Sequence, residues 1–230
     1  APHGTVAILT KKQRSESNTN YAQGGIAAAM GADDSWELHL HDTLIAGAGL
    51  CEREAVEVLV REGPRMVQWL IELGAQFDRN PDGSLALGRE GGHTRNRILH
   101  AADHTGYEIE RTLLIAARKT PHITVLEHYQ ALDLALQDGA CVGVRVLDTL
   151  TGDLFEIRAR AVLLATGGCG QVYLHTSNPL IATGDGIGMA WRAGATIGNM
   201  EFIQFHPTTL YHTDAPSFLI SEAVRGEGGI

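Results

Sequence analysis

The sequence predicts an α/β protein, a doubly wound, Rossmann-like sheet carrying an inserted antiparallel β-meander. Three observations lead there. Residues 5–10, "TVAILT", read as a strand near the start. Residues 161–165, "AVLLA", are apolar throughout, as befits a strand covered on both faces of a parallel sheet. Between them the short runs 123–127, 131–136, 141–147 and 155–159 are separated by "QDGA" and "LTGD", which is turn chemistry and gives a meander. Helical patterns before and after complete the α/β alternation.

After the first strand comes "SNTNYAQGGIAAAM" (17–30), almost uncharged and holding a glycine pair, expected to enter a helix around 26–30. Residues 36–46, "WELHLHDTLIA", predict a helix with "GAGLC" as its exit. The segment 52–62 has helical spacing at Val56, Leu59 and Val60. Gly63 and Pro64 then punctuate, Pro64 suiting the first position of a new helix that reaches Leu73 and closes at Gly74. Residues 78–104 carry no periodicity and are expected to be a long polar loop, a length that is usually functional or disordered. Thr105 with Glu108 has the spacing of a capping box, with Ile109, Leu113 and Ala116 as the apolar face and Pro121 past the end. "TGDGIGMAWRAGA" starts a last helix near Asp185, with Met189 and Trp191 expected in the core.

Composition narrows the function classes. The chain has 230 residues, 44% apolar and 20% charged, with no apolar run near the roughly 18 residues of a membrane span. A net charge of −9 without a basic stripe argues against nucleic acid as a partner, though not against small anions. Cys51, Cys141 and Cys169 are far apart and outside CxxC spacing, which points to free thiols in a reducing compartment and to no metal site. With no signal-peptide pattern at the start, the expected location is cytoplasmic. The chain opens almost at once in a strand and stops at "VRGEGGI", so it reads as a piece of something longer.

Three glycine-rich turns, "AQGG" (22–25), "ATGG" (165–168) and "TGDGIG" (183–188), are placed by the pattern at strand-to-helix junctions. Glycine lets backbone approach a ligand, and open N–H groups at a helix start favour phosphate. Together they point to a nucleotide-type cofactor. The usual G-x-G-x-x-G after a first strand is absent, so the residues alone do not name it. Plainer readings stand beside this one. His206 before a proline is a loop-packing residue in most proteins, Glu90 is a solvated loop carboxylate, and Asp185 is an N-cap worth about 1 kcal/mol. His93, His100 and His104 with Arg95 and Arg97 fit no zinc spacing and read as a solvated loop.

The strings "SNTNYAQGGIAA", "DTLIAGAGLC", "REGGHTRNRILHAADHTG", "VLLATGG", "GDGIGMAWRAGA", "EFIQFHPTTLY" and "SEAVRGEGG" resemble, in order and spacing, the succinate dehydrogenase/fumarate reductase flavoprotein family. "AQGG", "ATGG", "FHPT" and "RGEGG" are similar across that family, whereas "REGGH" with "HAAD" resembles its soluble, L-aspartate-oxidising branch. The resemblance implies FAD as cofactor, a FAD-binding domain over 1–199 and the start of an α+β capping domain, the substrate domain, over 200–230. It implies cofactor contacts at Lys11, Asn18, Thr19, Ala22, Gln23, Gly24, Gly25, Ala165, Thr166, Gly167 and Asp185. Membrane-bound members carry a histidine, in "SHTVAAQGG", that bonds FAD covalently. Asn18 stands there, so non-covalent FAD is expected.

For chemistry the resemblance implies hydride transfer from the substrate Cα to FAD, with dioxygen (giving hydrogen peroxide) or fumarate as acceptor, as the first step toward quinolinate and NAD. His206, Ser221 and Glu222 would contact substrate, and Glu90 would meet the amino group of L-aspartate through a charge-assisted hydrogen bond. His206 and Glu90 are the catalytic candidates. Threonine is commoner in the family where Ser221 stands. Quinolinate synthase is implied as a transient partner. Other readings left open are a soluble fumarate reductase or succinate dehydrogenase flavoprotein and a non-catalytic remnant. The resemblance also places the G-x-G-x-x-G strand before Ala1 and a catalytic arginine after Ile230, so the piece alone is expected to bind FAD weakly or not at all and to be inactive.

Overall fold

The computed structural model describes residues 4–206, 209–212 and 215–220. The chain divides into two compact units, one of Ala1–Asn18 with Ala117–Leu219 and the other of Thr19–Ala116 with Ile220–Ile230.

In the first unit, β1 (Val6–Thr10) lies parallel to β5 (Ile123–Glu127), in register from Val6 opposite Ile123 to Thr10 opposite Glu127. Parallel neighbours need a long crossover, and here residues 11–122 intervene. The meander is β6 (Tyr129–Gln137), β7 (Ala140–Asp148) and β8 (Leu154–Arg158), paired antiparallel in that order. Asp138 and Gly139 both have positive φ, 51° and 79°, the hairpin geometry that Asp-Gly favours. Asp148 Oδ1 accepts from the N–H groups of Leu150 and Thr151 to shape the next turn. Ala135, Val144 and Val146 are the meander's buried apolar residues.

Two expectations fail in this unit. Residues 161–165 form no strand, and Leu163 is 89% exposed. A strand needs a hydrogen-bonding neighbour, and among the described residues none pairs with this segment. Helix α4 (Asp185–Arg192) begins where expected and buries Met189, but Trp191 is 70% exposed and is not core. One residue past that point, Arg192 anchors the helix to β6 by donating to Asp133 Oδ1 (2.5 Å) and to the carbonyl of Leu132 (2.7 Å). Thr209–His212 (β9) and Ala215–Leu219 (β10) pair antiparallel.

The second unit contains α1 (Trp36–Ala46), started by Ser35, whose Oγ accepts from the Leu38 N–H at 3.3 Å. Next comes α2, one continuous helix over Arg53–Glu72 with Pro64 inside it, rather than two helices. An interior proline costs roughly 3 kcal/mol. Val60, Val67 and Leu70 are at most 7% exposed on one stripe of this helix, and each contributes about 1.5–3 kcal/mol by burial, so packing on both sides of Pro64 outweighs the break. Leu59, by contrast, is exposed. Gly74, at φ 103°, closes the helix as expected.

The segment 26–30 is not helical. Ile26–Ala27 is a strand, β2, and a three-stranded sheet β2-β4-β3 uses Ile98–Leu99 (β4) and Leu87–Gly88 (β3). The expected loop at 78–104 therefore supplies two strands, and Leu99 joins Ala28, Val67, Leu70, Ala75 and Phe77 in the core. Helix α3 (Thr105–Lys119), most of which lies in this unit, buries Thr105, Gly106, Glu110 and Thr112, while Leu113 is exposed. No capping box forms. Thr105 Oγ1 accepts from the Ala101 N–H, and the Glu108 carboxylate accepts from Arg111 and from the Gln76 N–H.

Candidate functional site

The glycine pair of 22–25 lies between a single 3-10 turn (Thr19–Tyr21) and β2 in the second unit, not at a strand-to-helix junction. Helix α3 holds this turn. The Gly106 N–H donates to the Ala22 carbonyl (3.0 Å), and the Ala22 N–H donates to that of Thr19 (3.0 Å). A β-carbon on Gly106 would come within 1.9 Å of Thr19 O, so only glycine lets the helix start there. The two glycines of the pair have different reasons. A β-carbon on Gly25 would fall 2.1 Å from Ile98 Cγ2 and 2.5 Å from Leu99 O, so its own sheet demands that glycine. At Gly24 a β-carbon would meet only Glu90 Oε1, at 3.8 Å, so nothing in the protein requires glycine there. Gln23 Oε1 is buried without a hydrogen-bond partner, while Thr19 and Ala22 are exposed. A buried orphan acceptor costs about 1–3 kcal/mol unless a ligand satisfies it.

Glu90 is half-buried in the excursion between β3 and β4. The basic and histidine-rich stretch after it is not a solvated loop. Arg97 is fully buried, pairs through Nε and Nη2 with both oxygens of Asp34 (2.8 Å each), and donates through Nη1 to Asp42 Oδ2 (2.7 Å). His93 Nδ1 lies 3.3 Å from Arg97 Nη1. A guanidinium only donates, so Nδ1 is the acceptor and His93 carries its proton on Nε2. His100 pairs with Asp78 at 2.8 Å. Burial, reinforced by the charge of Arg97, pushes the imidazole of His39 down. The sequence pattern named Arg97 only as part of a solvated loop and did not single out Asp34, Asp42, Thr94 or Gly106.

In the first unit, Lys11 follows β1 and donates to Thr183 Oγ1 (2.6 Å) and Asp185 Oδ2 (2.7 Å), while Thr183 Oγ1 donates to Asp185 Oδ1 (2.7 Å). Burial alone would raise the Asp185 carboxyl. The hydrogen bonds from Lys11 and Thr183, with the Lys11 charge, outweigh it and hold the group below the usual carboxylate range. Asp185 is not the N-cap of α4. Gly184, in left-handed geometry, takes that position, and Asp185 is the first helical residue.

The turn 165–168 precedes a 3-10 turn (Gly170–Val172) and rests on α4. A β-carbon on Gly186 would lie 1.8 Å from Thr166 Oγ1, and the Gly184 N–H donates to Gly168 O. Gly167 has φ 69°, and its missing β-carbon would lie 2.9 Å from Asn18 Nδ2. Asn18 Oδ1 is buried without a partner, and nothing lies within 4 Å of a β-carbon on Gly168. Ala165 is exposed, and beside the turn a cleft of about 250 Å³ is lined by Cys169, Tyr173, Thr183 and Met200. His206 is half-buried in the same unit. Ser221 and Glu222 lie outside the described residues.

The structure thus brings Lys11, Asn18, Thr166, Gly167 and Asp185 close together in one unit and groups Ala22, Gln23, Gly24 and Glu90 in the other. Each unit taken by itself holds a buried amide oxygen without a protein partner, Asn18 Oδ1 in one and Gln23 Oε1 in the other, and such an acceptor fits the polar edge of a cofactor.

Residues 1–230 match the family model described as FAD binding domain. Among curated proteins, "L-aspartate oxidase 2-a, chloroplastic" of Nicotiana tabacum is 52% identical over 242 residues, covering 100% of this chain and 38% of that protein. "L-aspartate oxidase" of Vibrio cholerae is 48% identical over 239 residues, covering 99% and 45%. Among solved structures, the quinol fumarate reductase FrdA of E. coli superposes with a TM-score of 0.92 at 38% identity, covering 100% of this chain and 39% of that one. Sdh1 of Mycobacterium smegmatis gives 0.88 at 38%, covering 96% and 40%. The chain spans about two-fifths of the length of the proteins it matches. The fold is the mixed α/β fold of a FAD-binding domain, with both parallel and antiparallel sheets.

Proposed function

Since the chain belongs to the FAD-binding-domain family, we propose that it is part of a flavoenzyme oxidising L-aspartate to iminoaspartate. The observation that carries this reading is the carboxylate of Glu90 set against Gly24 of the glycine turn. A carboxylate beside the cofactor's turn selects a substrate with an ammonium group, through a charge-assisted hydrogen bond that succinate cannot make. The names of relatives about half identical along the whole chain agree with it.

In this reading Lys11, Asn18, Thr166, Gly167 and Asp185, with Thr19, Ala22, Gln23, Gly24, Gly25 and Ala165, contact FAD. The amide oxygens of Asn18 and Gln23 accept from its polar edges. Asn18 cannot form a histidyl bond, so the cofactor is held non-covalently. Bound FAD supplies the acceptor for the Cα hydride, and the electrons pass on to dioxygen or to fumarate. Glu90 holds the substrate ammonium, while His206, Ser221 and Glu222 hold its carboxylates. Residues 1–199 form the FAD-binding part of a doubly wound sheet, and 200–230 begin the capping domain. We keep the cytoplasm as the proposed compartment, although the plant relatives are named chloroplastic, and quinolinate synthase as a transient partner. Among the described residues no helix is long and apolar enough to cross a membrane.

A second reading, a fumarate reductase or succinate dehydrogenase flavoprotein, draws on the superposition with FrdA. Anaerobic mixing of the full-length, FAD-loaded protein with each substrate separates the two. Bleaching of the flavin band by L-aspartate and not by succinate is expected. Bleaching by succinate alone would overturn the proposal in favour of the second reading.

A further inference from the structure

Resting on the reading of Glu90 as the ammonium-binding carboxylate, we propose that Thr94, Asp42 and Arg97 are positioning residues that fix the Glu90 turn and so set the preference for an amino-bearing dicarboxylate. Glu90 sits in an excursion between β3 and β4 whose base is closed by the Arg97 N–H donating to Gly88 O at 3.0 Å. The middle of such an excursion moves unless something anchors it. Here the His93 N–H donates to the carbonyl of Glu90 (3.3 Å), closing a turn over 90–93. The next residue, Thr94, is locked from below. Its N–H donates to Asp42 Oδ2 at 2.8 Å, and its hydroxyl to the same carboxylate at 2.9 and 3.1 Å. The ring of His93 is held in turn by Arg97.

The anchor is a charge cluster inside the protein. Arg97 and Asp34 have fully buried side chains, and that of Asp42 is 3% exposed. One guanidinium faces two carboxylates, which leaves a formal negative charge that dipoles must answer. The two donors of Thr94 are among those dipoles, so the cluster holds the turn as strongly as it needs the turn's hydrogen bonds. Thr94 is itself exposed. A surface threonine whose two donors both point inward at a buried carboxylate is better explained as a clamp on the loop than as solvated decoration. A shift of about 1 Å in a group that orients substrate can cost as much as about a hundredfold in rate, which is how a residue remote from the substrate would act on selectivity.

The test uses the full-length, FAD-loaded protein. Thr94→Val keeps the shape and removes the hydroxyl donor, whereas Thr94→Ser keeps the donor. Thr94→Val is expected to raise KM for L-aspartate roughly tenfold, the loss of one hydrogen bond to a charged group, with KM for fumarate and the flavin spectrum unchanged. Thr94→Ser is expected to match the wild type. Equal rises for L-aspartate and fumarate, no rise at all, or a serine variant as impaired as the valine one would overturn the proposal. Wild-type protein whose flavin L-aspartate does not reduce would instead overturn the functional reading beneath it.

Discussion

Replacing Arg97 by methionine keeps most of the aliphatic stem and removes the cation between Asp34 and Asp42. The three short contacts that vanish, 2.7–2.8 Å from Nε, Nη1 and Nη2, are all made inside the protein. Exposed ion pairs are worth well under about 1 kcal/mol, but breaking a buried one strands its partner and costs about 3–5 kcal/mol. Against a stability of about 5–15 kcal/mol that loss is severe. With a urea slope of about 2–3 kcal/mol/M the unfolding midpoint should drop by about 1–2 M. The pH dependence identifies the cause. Burial alone would raise the Asp42 carboxyl, but the hydrogen bonds from Thr94 and Arg97, with the Arg97 charge, hold it below the usual range. A depressed carboxylate adds stability above its unfolded pKa of about 4, and loses it as pH falls through the folded value. Without the hydrogen bond and charge of Arg97, burial drives the Asp42 carboxyl upward and it takes up a proton more readily. The gap between wild type and Arg97→Met should therefore narrow between about pH 7 and about pH 4.5. Urea titrations at both pH values provide the check. A gap below about 1 kcal/mol, or one that does not change with pH, would refute the argument from stranded charge.

Three further outcomes are expected. Glu90→Gln should weaken L-aspartate oxidation far more than fumarate reduction in steady-state assays, and equal losses would remove its assigned role. Acid precipitation should release the flavin into the supernatant, whereas flavin retained in the protein pellet would contradict non-covalent binding at Asn18. Hydrogen bonds from the Arg14 side chain and backbone, then its charge, pull the carboxyl of Glu127 down to about 2. Glu127→Gln should thus lower the melting midpoint near neutral pH, with the difference shrinking as pH falls below about 4.5; a constant difference would mean the ion pair is not its source.

Much of the fold follows from short stretches of sequence. The β1 strand, α1 behind Ser35, the Asp-Gly hairpin and the start of α4 depend on periodicity and turn residues within a few positions of each other. The failures share one cause. Ile26–Ala27 is a strand because it pairs with Ile98–Leu99, and the small residues around it carry no trace of that partner. Pro64 remains inside α2 because Val67 and Leu70 reach a core built from distant segments. Arg97 looked solvated because Asp34 and Asp42, which neutralise it, come from another part of the chain.

The sequence by itself determined the chemistry on offer: glycine turns able to lie against a cofactor, an amide at position 18 instead of a histidine, and a glutamate in a loop that a substrate amine could use. Tertiary structure alone decided which of these residues meet. It showed that Gly25 serves its own sheet while Gly24 faces Glu90, and that Lys11 reaches Asp185. Local preferences act over a few residues, whereas charge pairing and close packing act between groups that only the folded chain brings within a few ångströms.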